Sequence, residues 1–373
     1  MLLSLSAEVL WNTTSEHQFN SIAFGKLFAS EKNTLILAGE DGVVRVYEDP
    51  SADDKWDVKL KLVRSLETKC GPALHVVLRD MTRLSPCDMI VGDTRGSVVL
   101  FCDGQILDRR GCLSGKSSRI TSLQVQETAL GNVNVILGRD DGEVICFNTF
   151  SQLWKLRLSD ISTQTRNTSV SVTCLLPVSM ITSWANGNAE DYVLVADSQG
   201  NVHIIQDGNV LRTIEVPSSV QCMCAGNFLL HEDTSSSKKV LTQIALGCAD
   251  GSIWICADFC LNSSFPYVEI GHPITHLRRI PTKHNYANNS PIGNASNGEG
   301  VDMLLCGGHF SSLKLLQHGK LLYAIDLPSW PIALCGLHDY VNPDLNPDKT
   351  LTNDDSMIIV GCKDSTLRLV SIT

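Results

Sequence analysis

An all-β chain, laid out as a single seven-bladed β-propeller of four-stranded blades, is predicted by three features of these 373 residues. One hairpin pattern recurs seven times. An alternating apolar strand precedes every copy, and another follows all but the last. The clearest copy is 135–148, where two β-branched runs flank Asp141-Gly142. Glycine tolerates the positive φ of a tight turn, and the aspartate can bond its own backbone there. The other copies turn at Asp41-Gly42, 93–96, 197–200, Asp250-Gly251, Ser311-Ser312 and Asp364-Ser365. Taken at Gly39, Gly92, Gly138, Ala196, Gly247, Gly307 and Gly361, the copies lie 53, 46, 58, 51, 60 and 54 residues apart. A fixed unit with variable loops is how a repeat architecture reads in sequence.

In order, the leading strands are expected at 19–24, 73–78, 120–125, 170–176, 220–225, 274–280 and 332–337. Trailing strands are expected at 60–66, 105–109, 153–158, 210–216, 266–270 and 320–327. The seventh copy has none, but a surplus strand, 2–11, ending Val9-Leu10-Trp11, stands before the first. It is expected to complete blade 7, so that 1–373 forms one domain with no edge left open there. Connections from first to second strands lengthen late in the chain, at 179–191, 227–240, 281–300 and 338–356. They are expected opposite the hairpin turns. The Asn, Gly and Ser content of 281–300 predicts a disordered loop, and 233–239 reads as a loop tip.

A hydrophobic content of 43% is ample for a core, and a formal net charge of −10 argues against a nucleic-acid partner. No apolar run approaches the ~20 residues of a membrane span, and the start has no basic region before an apolar one, so no signal peptide is expected. Fourteen cysteines without framework spacing point to reduced thiols in cytoplasm or nucleus. The Asn-x-Ser/Thr matches at Asn12, Asn167, Asn262 and Asn294 then read as coincidence.

Chemistry gains little from the motifs. The turn aspartates read as turn formers rather than as a calcium site, which needs six or more converging oxygens. Cys222 and Cys224, spaced as same-face strand residues, read as core, and no second pair completes a zinc set. His75, His203, His272, His309 and His338 show no metal spacing, and no Gly-x-Ser-x-Gly elbow is present. No catalytic, cofactor-binding or metal residue is assigned, and no cofactor or small-molecule substrate is expected. Arg109, Arg110, Lys116 and Arg119 form a basic cluster at the connection into blade 3, and Trp330 lies on the connection into blade 7. Arg and Trp dominate interface energetics, so these five are the candidate partner-binding residues, expected on the hairpin-turn face.

The stretch Gly92 to Phe101, Gly-Asp-x-x-Gly-x-Val-x-Leu-Phe, resembles divergent WD40-type repeats and FG-GAP-like blades. It is similar to propellers of the integrin-alpha FG-GAP-repeat protein of the KICSTOR complex and of Bardet–Biedl complexes. The regular WD40 signatures do not recur. Gly-His stands only at 271–272 and 308–309, and Trp-Asp only at 56–57. The resemblance implies a non-catalytic scaffold, a subunit of an intracellular signalling or trafficking complex with other proteins as partners. A ubiquitin-ligase substrate receptor, and a propeller enzyme with its site at a central channel, are the alternatives. If the thiols are free, alkylation under denaturing, non-reducing conditions should label every cysteine. Two or more defined bridges in the mass spectrum would remove the basis for a reducing compartment.

Overall fold

The computed structural model describes residues 6–52, 56–111, 118–128, 131–161, 169–183, 188–229, 241–282, 301–337 and 356–372. Lys116 and the segments 233–239 and 283–300 lie outside them. The chain packs as two compact units, Met1–Arg157 with Leu327–Thr373, and Leu158–Asp326. The first holds four antiparallel sheets, blades 1, 2, 3 and 7; the second holds three, blades 4, 5 and 6. Strands within a blade pair in sequence order, except in blade 7 and in blade 5, where both pieces of the outer strand pair with the third strand.

Blade 7 joins Pro331–Gly336, Met357–Cys362 and Thr366–Ile372 to Ala7–Thr14, which pairs antiparallel with the third of these. The early strand closes the blade, as the sequence predicts, and runs on past Trp11. Asn12 Oδ1 accepts a hydrogen bond from Arg368 Nε at 3.1 Å. Just past the strand, the Ser15 N–H donates to Ser365 O, 2.9 Å. Thr68 makes the matching bond to Gly42 in blade 1, and Val216 to Gly200 in blade 4. Ala7–Thr14 therefore sits as the outer strands of blades 1 and 4 do.

The turns follow from their residues. Asp250 Oδ1 accepts the Ser252 N–H at 2.9 Å, and the same two-residue bond ties Asp41 to Val43, Asp141 to Glu143 and Asp364 to Thr366. Gly251 has φ +89°, and a Cβ there would lie 2.5 Å from the His272 nitrogen. Blade 7 puts Ser365 in that left-handed position, at φ +67°.

Two elements differ from expectation. In blade 6 the turn is His309 alone, between Met303–Gly308 and Phe310–Gln317, and Ser311 and Ser312 lie inside the strand. A register shift between Cys306 and Gly308 takes up the slack, and Gly308 approaches Pro273 O so closely that a Cβ would clash. In blade 5 the outer strand is split into Cys260–Leu261 and Val268–Glu269, where one strand at 266–270 was expected. Pro266 has no N–H for the ladder, and Asn262-Ser263-Ser264 favours a turn.

Three devices repeat in all seven blades. The first strand carries a β-bulge near its start, as between Phe19 and Ser21 or Pro331 and Ala333. A backbone N–H just past the second strand donates to the carbonyl just ahead of, or at the start of, the first, at 2.9–3.1 Å. Its donors are Glu40, Thr94, Asp140, Ser198, Ala249, His309 and Lys363, so the hairpin turn and the connection leading into each blade share one end. Near the end of the second strand stands a glycine or alanine, and at three of the glycines it leaves space for a neighbouring blade. At Gly92 a Cβ would lie 3.0 Å from Leu123 of blade 3, at Gly247 2.9 Å from Ile274 of blade 6, and at Gly361 2.5 Å from Ile22 of blade 1. Buried side chains then run from blade to blade, as in the cluster of Trp11, Phe19, Ile22, Phe24, Ile359 and Leu369.

Trp11, 2% exposed, sits in that cluster. Trp11→Ala should cost about 3–5 kcal/mol. Deleting residues 1–14 should leave blade 7 with an open edge and give insoluble or strongly destabilised protein. A truncated chain with the full chain's melting temperature would refute the closure.

Candidate interaction surface

Arg119 and Trp330 occupy equivalent places. Each lies just ahead of its blade's first strand and gives its carbonyl to the repeated turn bond, from Asp140 and Lys363 respectively. In the first unit the first strands of neighbouring blades touch in the order 7, 1, 2, 3. Trp330 and Arg119 thus share the turn end but stand three blades apart. Trp330 is 40% exposed, with Lys363 Nζ 5.3 Å from its ring centroid. Arg119 is exposed.

The paired arginines of blade 2 are used inside the fold. Both end the outer strand Gln105–Arg110. Arg109 Nη2 donates to Thr68 O of blade 1 at 2.8 Å. Arg110 donates through Nε to Asp108 and through Nη2 to Thr149 O of blade 3, both at 2.8 Å. Its guanidinium lies 4.6 Å from the Phe147 ring centroid. They clamp neighbouring blades while Arg109 stays exposed and Arg110 partly so; Arg119 is exposed as well.

A cationic site absent from the sequence reading lies on blade 3. Glu143 begins the third strand, Glu143–Phe147, opposite Arg157 at the end of the outer strand Gln152–Arg157. Its Oε1 receives Lys155 Nζ at 2.7 Å and Arg157 Nη2 at 3.0 Å, and its Oε2 receives Arg139 Nη1 at 3.1 Å. Burial alone would raise this carboxyl, but the hydrogen bonds from Lys155 and Arg157 outweigh it and hold it below the usual range. Three cations gather on this carboxylate, with Asp141 of the adjoining turn close enough to act on it as well. Arg139 is buried, whereas the Lys155 and Arg157 side chains are 44% and 50% exposed. Along the same outer strand Leu153 is 46% exposed, and Phe150, in the turn before it, 91%. The sequence signal was there: Leu153, Lys155 and Arg157 alternate and share a face.

No metal-holding group of three or more His, Cys, Asp or Glu occurs among the described residues. Burial pushes the thiols of Cys87, Cys174, Cys248, Cys256 and Cys306 up to about 12, so they stay protonated and inert. His203 is held between Asp197 Oδ2, 3.2 Å, and Thr213 Oγ1, 3.0 Å, and Asp197 also caps its turn through the Gln199 and Asn201 N–H groups.

No protein-family model matches the chain, and no curated protein does. Solved structures do. BBS1N, crystallised in complex with ARL6DN, is similar over 99% of this chain and 95% of its own, with TM-score 0.63 and 10% identity. The WD40 β-propeller domain of Doa1 is similar over 98% and 97%, with TM-score 0.57 and 14% identity. The chain has the β-propeller fold. Its neighbours fit the expected likeness to divergent WD40-type and Bardet–Biedl propellers. With 1113 solved chains matching, the fold alone does not select a function.

His75, in Ala73–Arg79 of blade 2, contributes a pH response. Burial lowers its pKa from the ordinary 6.5 to about 4, and the nearby charge of Arg119 acts in the same direction. The unfolded chain therefore takes up this proton first as pH falls. Stability present above pH 6.5 is lost on the way down to about pH 4, by roughly 3 kcal/mol at the upper limit. His75→Gln should flatten that part of the stability curve in urea titrations. An unchanged slope would show that His75 does not set it.

Proposed function

We propose that this protein is a non-catalytic interaction subunit of an intracellular assembly, with its main docking surface at the turn end of blades 2 and 3. What carries the reading is the set of cations gathered on Glu143, displayed by half-exposed Lys155 and Arg157 on a chain of net charge −10. A partner with acidic side chains is steered to such a patch and kept in register by it. Leu153 adds exposed apolar surface farther along the same outer strand, and Arg119 lies at the same turn end as Arg157. Trp330 offers a second, separate anchor on the same end.

The similar BBS1N propeller binds a protein in its own crystal, and the proposal extends that kind of use to this chain. The thirteen described cysteines are all free thiols, which suits a reducing compartment such as the cytoplasm.

The test is affinity purification of the full chain and its variants from cells, with quantitative mass spectrometry. Lys155→Glu with Arg157→Glu should lower partner retention about tenfold or more. Trp330→Ala should cost about 1 kcal/mol or more if it is an anchor. Arg110→Ala is the control for stability, since it should lower the melting temperature whatever it does to binding. Shortening 284–298 should leave the assembly intact. An assembly lost on shortening that loop, but indifferent to the charge reversal, would put the interface elsewhere.

A further inference from the structure

The outer edge of blade 6 is built unlike the others. An edge strand offers unpaired backbone N–H and C=O groups, and proteins guard such edges with charges, breaks or cover. Blade 1 places Arg64 within its outer strand Leu62–Glu67, and blade 4 places Arg212 within Asn209–Glu215. Blades 2 and 3 carry the charges described above. In blade 5 the outer strand is broken. Over blade 7 the chain lays its own segment 56–58 parallel to the edge. There the Asn12 N–H donates to Trp56 O at 2.8 Å, and the Val58 N–H to Asn12 O at 3.2 Å.

Blade 6 shows none of these devices among the described residues. Its outer strand Lys320–Asp326 reads Lys-Leu-Leu-Tyr-Ala-Ile-Asp, with no charge between its ends. Residues 320–324 are all exposed, Leu321 to 54%, Leu322 to 44% and Tyr323 to 39%. The bulge against Leu315 and Leu316 has counterparts in blades 1 to 4, so it does not set this edge apart. Beside it lies the loop from the broken strand of blade 5. A Cβ on Gly319 would stand 2.7 Å from Tyr267 O, and Phe265 in that loop is 77% exposed.

The ends of the strand decide what fits it. Read outward from Tyr323, the strand is complementary to itself in charge. Pairing it antiparallel with an identical strand sets Lys320 opposite Asp326 at both ends, apolar residues between, and Tyr323 beside Tyr323 on the axis. Two copies related by a two-fold axis meet in that way, with the same patch on each. We propose that two copies of this chain associate edge to edge through Lys320–Asp326, joining two four-stranded blades into one eight-stranded sheet. The contact is small, so the dimer is weak and concentration-dependent. Nothing in it depends on the docking surface of blades 2 and 3.

Sedimentation of the full chain over a rising concentration series tests it, with thermal melts to confirm folding. The wild-type chain should shift from monomer to dimer. Lys320→Asp and Asp326→Lys should each weaken self-association about tenfold or more, because each sets like charges opposite one another. An equimolar mixture of the two single variants should recover the dimer, since the reversed ends then meet as opposite charges. If either charge variant fails to fold, Leu322→Lys at an exposed site should also give a monomer. A wild-type chain that stays monomeric throughout overturns the proposal. So does a dimer indifferent to these variants, or a mixture that does not recover.

Discussion

Within each unit a blade has to leave room for the first strand of the next, and the packing follows from that requirement. A Cβ at Gly361 or Gly247 would fall on apolar side chains of the neighbouring blade. Filling such a space costs typically 1–3 kcal/mol. With the space kept, Phe19 and Ile22 reach blade 7, and Ile274 and Leu277 reach blade 5. Side-chain hydrogen bonds follow the same contacts. Asn20 Nδ2 donates to Ala73 O at 2.9 Å, and Thr173 Oγ1 to Val220 O. Both residues are displaced by the bulge that starts each first strand. The repeated glycine, the bulge and the turn bond are parts of one joint.

That joint explains how much of the fold the sequence makes legible. The glycine or alanine is a residue type, and so are the turn Asp and Gly, so seven copies can be counted from letters alone. The membership of Ala7–Thr14 in blade 7 followed from a surplus at one end and a gap at the other. The blade 6 turn was misplaced because Gly308 and His309 turn through close approach and a register shift, not through an Asp-Gly pair. The split strand of blade 5 was missed for a related reason. Asp258 and Phe259 both take positive φ, +51° and +62°, and although Asp visits that region readily, nothing about a phenylalanine announces it.

The interaction surface was less legible. Arg109 and Arg110 have the composition of an anchor, yet their partners Thr68, Asp108 and Thr149 lie on three blades, and sequence does not reveal that geometry. Conversely, the importance of Lys155 and Arg157 depends on their sharing Glu143 with Arg139, which only strand register brings together. A cation becomes available to a partner when its own fold leaves its charge incompletely matched. That quantity belongs to the assembled sheet.

The closure of blade 7 also has a bearing on time. Asn12 and Arg368 meet across 356 residues of chain. At about 5–20 residues per second, ribosomal synthesis of that stretch takes roughly 20–70 s. Throughout it Ala7–Thr14 exists without the strand it pairs with, while Trp11 and its apolar neighbours have no finished core to enter. Blades 1 to 6 can mature as they emerge, but blade 7 waits for both of its halves. A nascent chain of this design spends its synthesis with one strand exposed, and that is the interval in which a chaperone has something to hold.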